Sequence, residues 1–368
     1  MILGEPLRVL GSGPARTGRL ERTADGSVAL VADDRAYGEL CVSPGWVDLH
    51  AHVYDGMTSL GVPPDDVGRA TGVHVVADAG SAGAETLDGL VKYVIPAATV
   101  RVRAWVNIGS YGLVHLRETA DLANISLDAT LAAIERHRDI VCGVKVRSSG
   151  LIVGAMGLQP LQLGRLVARE AGLPLLVHVG EPPPLIEDVL DLLDDGDSVT
   201  HCYHPKTGHP WRPDGRPVPA LERALERGVL LDVGHGAASF GFEVASRAIA
   251  AGFPPHTIST DVHIRNIGGP VHDLATTMTK LLACGLPLDA VVAAVTDHPR
   301  AVLRTPQPWL DDGGAVRHAT VFRVTADPPP SVAPPHRIYR DALGVERRPA
   351  SYIVPVGTIT DGRLTANQ

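Results

Sequence analysis

The chain is poor in cysteine, in lysine and in long apolar runs, and it carries no basic excess. Its four cysteines (Cys41, Cys142, Cys202, Cys284) are scattered without a CxxC pair, which argues against a disulfide framework or a thiolate metal site. With 33 basic against 41 acidic residues the net charge is −8, so no basic surface for nucleic acid is expected. No stretch approaches the ~18 uninterrupted apolar residues of a spanning helix. The opening Met-Ile-Leu-Gly-Glu-Pro lacks the basic start and apolar run of a signal peptide. A soluble cytoplasmic protein, with neither membrane nor nucleic-acid partners, is the expectation.

What the chain does have is length and apolar content. Its 368 residues, 45% of them hydrophobic, suffice for one barrel-sized domain and a smaller one. Short runs rich in Val, Ile and Leu recur at 42–49, 73–78, 103–108, 140–146, 174–179, 198–202, 229–233 and 257–261. Such runs, apolar without clean alternation, suit parallel strands buried on both faces. Helical apolar spacing marks Leu127–Arg138, Leu161–Ala171, Pro219–Arg227 and Phe242–Ala251 between them. Gly172, Gly228 and Gly252 follow three of these segments, where a left-handed cap favours glycine. Eight strands alternating with helices predict an α/β fold, a (β/α)8 TIM barrel over 44–304. A doubly wound open sheet is the competitor, but no GxGxxG opens the first β–α turn. Residues 1–43 and 305–368 predict one small discontinuous β-sandwich, with strands around Gly26–Asp34, Ala319–Thr325, Arg337–Leu343 and Ala350–Ile359. Asp327–Pro335 reads as a proline-rich loop.

Six polar residues fall at the ends of the predicted strands: His50, His52, Lys145, His178, His201 and Asp261. In a strand, His50 and His52 face the same way with Cα atoms about 6.5–7 Å apart. Two imidazoles so placed can converge on one cation at about 2.0–2.1 Å. A lone histidine at a strand end is more often a core residue than a ligand, but His178 and His201 follow on successive strands. Lys145 is one of four lysines beside 29 arginines, and it lies inside the apolar run Val-Cys-Gly-Val-Lys-Val-Arg. A buried ammonium is costly unless it is paired or chemically altered. As a carbamate formed with carbon dioxide it becomes an anion able to bridge two cations. Asp261, after Thr-Ile-Ser-Thr, is the expected catalytic acid/base and a metal ligand; helix capping is its bland alternative. Neutral imidazole and carboxylate suit two divalent metal ions, Zn²⁺ first, with Mn²⁺, Fe²⁺ or Co²⁺ also permitted.

This order, with Gly-Trp-Val-Asp-Leu-His-Ala-His-Val-Tyr, Gly-Val-Lys-Val-Arg-Ser, Val-His-Val-Gly-Glu-Pro, Thr-His-Cys-Tyr-His and Ile-Ser-Thr-Asp-Val-His, resembles the amidohydrolase superfamily over nearly the whole chain. It looks most like the amidohydrolase/deacetylase, or dihydroorotase-like, branch. The resemblance implies His50 and His52 on a buried metal, His178 and His201 on an exposed one, and carboxylated Lys145 on both. It also implies Asp261 as acid/base in hydrolysis of an amide or ester, chiefly acetyl, bond in a small carboxylate-bearing molecule. Relatives that open rings usually carry arginine where this chain has Tyr54, which argues against dihydroorotase activity. Arg147, two residues beyond Lys145 and on the same strand face, is the expected carboxylate reader, with a rim ion pair as its alternative. Tyr54, His204, His235 and His263 are further candidates for substrate contact. A cyclic amidase or aminopurine deaminase is the second enzymatic reading, and a non-catalytic barrel scaffold the rival of another class. A homo-oligomer is expected only on general grounds.

Overall fold

The structure is a computed structural model that describes residues 2–11, 16–305, 308–311, 313–327 and 338–367. Four strands come first: β1 (Pro6–Val9), β2 (Arg16–Arg22), β3 (Val28–Ala32) and β4 (Leu40–Pro44). The chain then enters a parallel sheet of seven strands laid side by side in sequence order. These are β5 (Trp46–Ala51), β6 (Val73–Gly83), β7 (Arg101–Asn107), β8 (Val141–Ser148), β9 (Leu175–Val179), β10 (Ser198–Thr200) and β11 (Leu230–Asp232). They are buried almost throughout, as their continuous apolar runs require. The expected run 42–49 is thus divided at Gly45 between two sheets.

The predicted eighth strand is not regular. Segment 257–262 bridges the two edges of the sheet, pairing Thr257 with Asp232 and Val262 with Ala51. Between those points its hydroxyls turn to buried carboxylates: Thr257 and Ser259 to Asp232, Thr260 to Asp48. Asp261 then takes a left-handed backbone, φ +49°. Polar side chains so anchored hold the segment in place without a full ladder, and the barrel is closed around it.

The expected helices form close to their predicted limits: α1 (Leu127–Arg136), α2 (Gln159–Ala171), α3 (Pro219–Glu226) and α4 (Phe242–Ala250). Gly172 ends α2 in the left-handed region, as the sequence anticipates. Beyond segment 257–262 come α5 (Leu274–Ala283) and α6 (Asp297–Val302). Val47, Leu49, Cys142 and Leu176 pack together in one apolar cluster. They precede His50, Lys145 and His178 in the strand direction, so the polar residues occupy the C-terminal end of the barrel.

The last strands are β12 (His318–Thr325), β13 (Tyr339–Arg340), β14 (Glu346–Arg347), β15 (Tyr352–Thr360) and β16 (Arg363–Ala366). The sandwich predicted from both termini is built as one curled sheet, in the order β16-β15-β12-β4-β1-β2-β3. Its ends approach each other, since Val28 donates to the Gly362 carbonyl and accepts from the Val316 amide. Leu7, Leu20, Val42, Val321 and Ile359 fill the space between. The strand expected at Arg337–Leu343 is only the two-residue β13. It pairs with β14 and docks on the barrel, where Asp341 takes the Phe242 amide at the start of α4. Residues 328–335 of the proline-rich stretch lie outside the described residues. Among the described residues, no single helix is long and apolar enough to cross a membrane.

Candidate metal centre

Three histidines, His50, His52 and His201, converge on one carboxylate, that of Asp261. His52 Nε2 lies 3.0 Å and His50 Nε2 3.3 Å from Asp261 Oδ1, while His201 Nε2 lies 3.8 Å from Oδ2. The Lys145 amine lies 3.4 Å from His50 Nε2. His178 joins through His201, its ring edge-on with centroids 4.4 Å apart. All six expected residues therefore meet in one place, although they come from five separate stretches of chain.

Each of the three converging imidazoles is held from behind at Nδ1. His50 meets the Thr200 hydroxyl at 3.0 Å, His52 the Ser81 hydroxyl at 2.9 Å and His201 the Gly234 carbonyl at 2.5 Å. A carbonyl only accepts, so His201 carries its proton on Nδ1 and presents a lone pair at Nε2. Thr200 donates onward to Asp232 at 2.7 Å, so its oxygen must accept from His50. Asp232 also receives Thr257 and Ser259, each at 2.7 Å. Burial alone would raise the Asp232 carboxyl, but His50 and these hydroxyls more than offset it and keep it low.

The electrostatics of most of the cluster suit ligands that bind as neutral bases and anions; at His50 burial and Lys145 work downward, but Asp261 and Asp232 raise it on balance. Burial, with the charges of His201, Arg147 and Lys145, pushes His178 well below its ordinary value. Burial takes His201 down to about 3. For Asp261 burial works upward, yet His50, His52 and His201 hold the carboxylate well below its ordinary value. Burial brings the Lys145 amine down to about 7, so a large fraction is neutral near physiological pH. A buried cluster of imidazole lone pairs, one carboxylate and one lysine fits divalent cations, and the ligand atoms of His50, His201 and Asp261 all lie within 4.8 Å of one another.

Two glycines make room for this arrangement. A Cβ on Gly80 (φ +81°) would stand 2.7 Å from Cβ and Cγ of Lys145, and one on Gly236 (φ +54°) 2.5 Å from Asp261 Oδ2. His201 (φ +70°) and Asp261 (φ +49°) sit in the left-handed region without being glycine. Strain of about 1–3 kcal/mol each is held there by the surrounding bonds.

The expected substrate contacts fare unevenly. Arg147 is taken by Glu118, with Nε to Oε1 at 2.7 Å and Nη2 to Oε2 at 2.6 Å, and Nη2 also reaches the Leu116 carbonyl. This is the rim ion pair rather than a free carboxylate reader. The Tyr54 hydroxyl is taken by the Thr86 carbonyl, to which it donates at 2.8 Å. His235 is buried, with Nδ1 on the Gly236 carbonyl and Nε2 accepting from Lys280 at 2.8 Å. His204, in the loop after β10, is buried, its Nδ1 receiving the Lys206 amide. His263 does adjoin the cluster, its ring centroid 6.3 Å from that of His52. Sequence reasoning missed Asp48, Ser81, Glu118, Thr200 and Asp232. A carboxylate inside an apolar run, as in Leu-Leu-Asp-Val, is the signal that could have found Asp232.

No protein-family model matches the chain. A deacetylase of Agrobacterium fabrum is 42% identical over 284 residues, covering 76% of this chain and 70% of its own. A crystal structure of a dihydroorotase superposes with a TM-score of 0.87 at 35% identity, over 98% of this chain and 97% of that one. A crystal structure of an adenine deaminase superposes at 0.85 and 30% identity, over 99% and 100%. With the site's histidines, lysine and aspartate in the order the sequence resemblance requires, the chain belongs to the amidohydrolase superfamily, in its deacetylase and dihydroorotase-like branch.

Proposed function

We propose that this metal-dependent hydrolase cleaves an acyl, chiefly acetyl, amide or ester bond of a small molecule. Two zinc ions would be held by His50, His52, His178, His201, Asp261 and a Lys145 carboxylated by carbon dioxide. The observation that carries this reading is the convergence of three Nε2 atoms and the Lys145 amine around Asp261, each of those three rings fixed from behind. When bound, divalent cations polarise a carbonyl and lower the pKa of water from 15.7 to about 7.

The chain's own residues supply the rest. The neutral Lys145 amine adds to the carbon of carbon dioxide, and loss of one proton from nitrogen leaves the carbamate anion. Asp261 is held by the Asn266 side chain on its carbonyl and by its own amide on the His50 carbonyl. Its carboxylate accepts a proton from the attacking water and delivers it to the departing nitrogen or oxygen. His263 accepts the Arg265 amide at Nδ1 and so has an Nε2–H to offer a bound substrate. Because Arg147 is paired with Glu118, the proposed substrate is defined by its scissile acyl bond rather than by a carboxylate.

The deacetylase relative supports acyl hydrolysis, whereas the dihydroorotase and adenine deaminase likenesses keep ring opening and amine release as the outcomes to test against. The test is a panel of N-acetyl and O-acetyl compounds, dihydroorotate and adenine on zinc- and bicarbonate-treated protein. Acetate release from the acetyl compounds is expected. Ring opening or ammonia release without any acyl hydrolysis would overturn the reading.

A further inference from the structure

The stretch Asp-Val-Gly-His-Gly, residues 232–236, ends β11 and turns beside the metal centre. Gly234 and Gly236 are in the left-handed region, φ +47° and +54°. A Cβ on Gly234 would stand 2.1 Å from the Thr200 hydroxyl and 2.8 Å from His201 Nδ1, and one on Gly236 2.5 Å from Asp261 Oδ2. The bare backbone of turn 234–236 is therefore the surface against which His201 and Asp261 rest. Its Gly234 carbonyl takes the His201 Nδ1–H. Its amides are held by the neighbouring segment: Gly234 donates to the Ser259 hydroxyl, His235 to the Ser259 carbonyl and Gly236 to the Thr260 carbonyl. The one side chain the turn offers for support is His235.

His235 is 0% exposed and stacks on Phe240 with ring centroids 4.7 Å apart. The Gly236 carbonyl only accepts, so the ring carries its proton on Nδ1, and its Nε2 lone pair receives Lys280 Nζ at 2.8 Å. Lys280, on α5, is itself 0% exposed. It also donates to the carbonyls of Pro270 and Arg340, each at 2.7 Å. In the ammonium form three protons thus meet three acceptors, each from a different segment. One is the turn, one is loop 263–272, whose Asn266 holds the Asp261 carbonyl, and one is β13. The β13 segment supports the same wall, since Ala342 donates to the Phe240 carbonyl at 3.0 Å. Three acceptors around one nitrogen suit a compact ammonium better than a planar guanidinium fork, which accounts for a lysine in so arginine-rich a chain. A buried amine is costly, and the hydrolytic steps above do not use this one.

We propose that Lys280 is a positioning residue for the hydrolysis. Through His235 it fixes turn 234–236, and with it the His201 ring and the Asp261 carboxylate; through Pro270 it fixes the loop that anchors Asp261. The inference rests on the metal-dependent reading above. It also gives the β13 segment a role, as the far support of the line Arg340–Lys280–His235 that ends at the metal centre.

Lys280→Met, His235→Leu and the double variant test this by two readouts. One is zinc affinity of the metal-stripped protein, by competition with a chromogenic chelator. The other is kcat and KM of the zinc-loaded protein on whichever acetyl compound the parent hydrolyses fastest. Each single variant should bind zinc about tenfold more weakly, as partners behind a ligand do. Each should also lose kcat with KM little changed, because the acid/base acts in the transition state. The double variant should fall no further than the weaker single one, since both residues act along one line. Should Lys280→Met fail to fold, Lys280→Gln takes its place. Folded single variants that lose Tm alone, with parent-like zinc affinity and kcat, would overturn the proposal. Additive losses in the double variant would overturn it too, by separating Lys280 from His235. A parent that binds no zinc would instead sink the metal centre itself, whatever the variants do.

Discussion

Thr200→Val should weaken zinc binding without unfolding the protein. Asp232 is buried and receives three hydroxyls, those of Thr200, Thr257 and Ser259, each at 2.7 Å. Thr200 has one proton, and Asp232 takes it. The Thr200 oxygen can then only accept from His50 Nδ1, 3.0 Å away, which leaves the His50 lone pair at Nε2 facing Asp261 and Lys145. Valine keeps the shape but removes both links. Hydrogen bonds to charged groups contribute about 1.5–3 kcal/mol, and partners of this kind behind a ligand change metal affinity about 10–100-fold. At 1.4 kcal/mol per tenfold the second figure is about 1.4–2.8 kcal/mol, so the two agree. Zinc affinity of the metal-stripped protein, by competition with a chromogenic chelator, should fall about 10–100-fold in Thr200→Val. Thr200→Ser, which keeps the hydroxyl, should stay close to the parent. Parent-like affinity in a folded Thr200→Val would refute the argument that the Asp232–Thr200–His50 chain orients the ring.

Arg147→Met would strand the Glu118 carboxylate, whose side chain is 0% exposed, and should destabilise the protein by about 3–5 kcal/mol in urea unfolding. Adding Glu118→Gln should recover part of that loss, and no recovery would contradict a structural pair. Tyr54→Phe removes one bond to the Thr86 carbonyl and should cost about 1 kcal/mol of stability with kcat/KM unchanged. A steep fall in kcat/KM would instead put the Tyr54 hydroxyl on the substrate. Burial brings Lys280 down to about 7, against about 10.4 for an ordinary lysine. Between those values the unfolded chain binds a proton that the folded chain has shed, so stability rises with pH across the window. Lys280→Met should flatten that rise between pH 7 and pH 10, and an unchanged slope would place the titration elsewhere.

The six residues that meet in the cluster were legible because each lies in or at the end of a short apolar run, where a polar side chain has little structural reason to be. The barrel was legible for a related reason, since doubly buried parallel strands cannot disguise their composition. Segment 257–261 misled because Thr-Ile-Ser-Thr has strand-like composition, whereas Thr257, Ser259 and Thr260 bond to Asp232 and Asp48 instead of completing a ladder. Arg147 shares the β8 face with Lys145, as its spacing requires. No spacing rule could bring Glu118 to it from the loop after β7. Thr200, Ser81 and Asp232 were invisible for the opposite reason. Hydroxyls and lone carboxylates are common in any chain, and their role here exists only once His50 and His52 are in place. His235 looked like a pocket residue from its position after β11, but Lys280, far along the chain, draws it into the wall.

Metal content per chain, with and without Lys145, tests the central claim most directly. After treatment with zinc and bicarbonate the parent should hold about two ions per chain, as a bridged pair requires. Lys145→Ala should hold markedly fewer, and withholding bicarbonate should lower the parent's content alone. A parent that binds no metal, or a folded Lys145→Ala that keeps the full complement, would contradict the account.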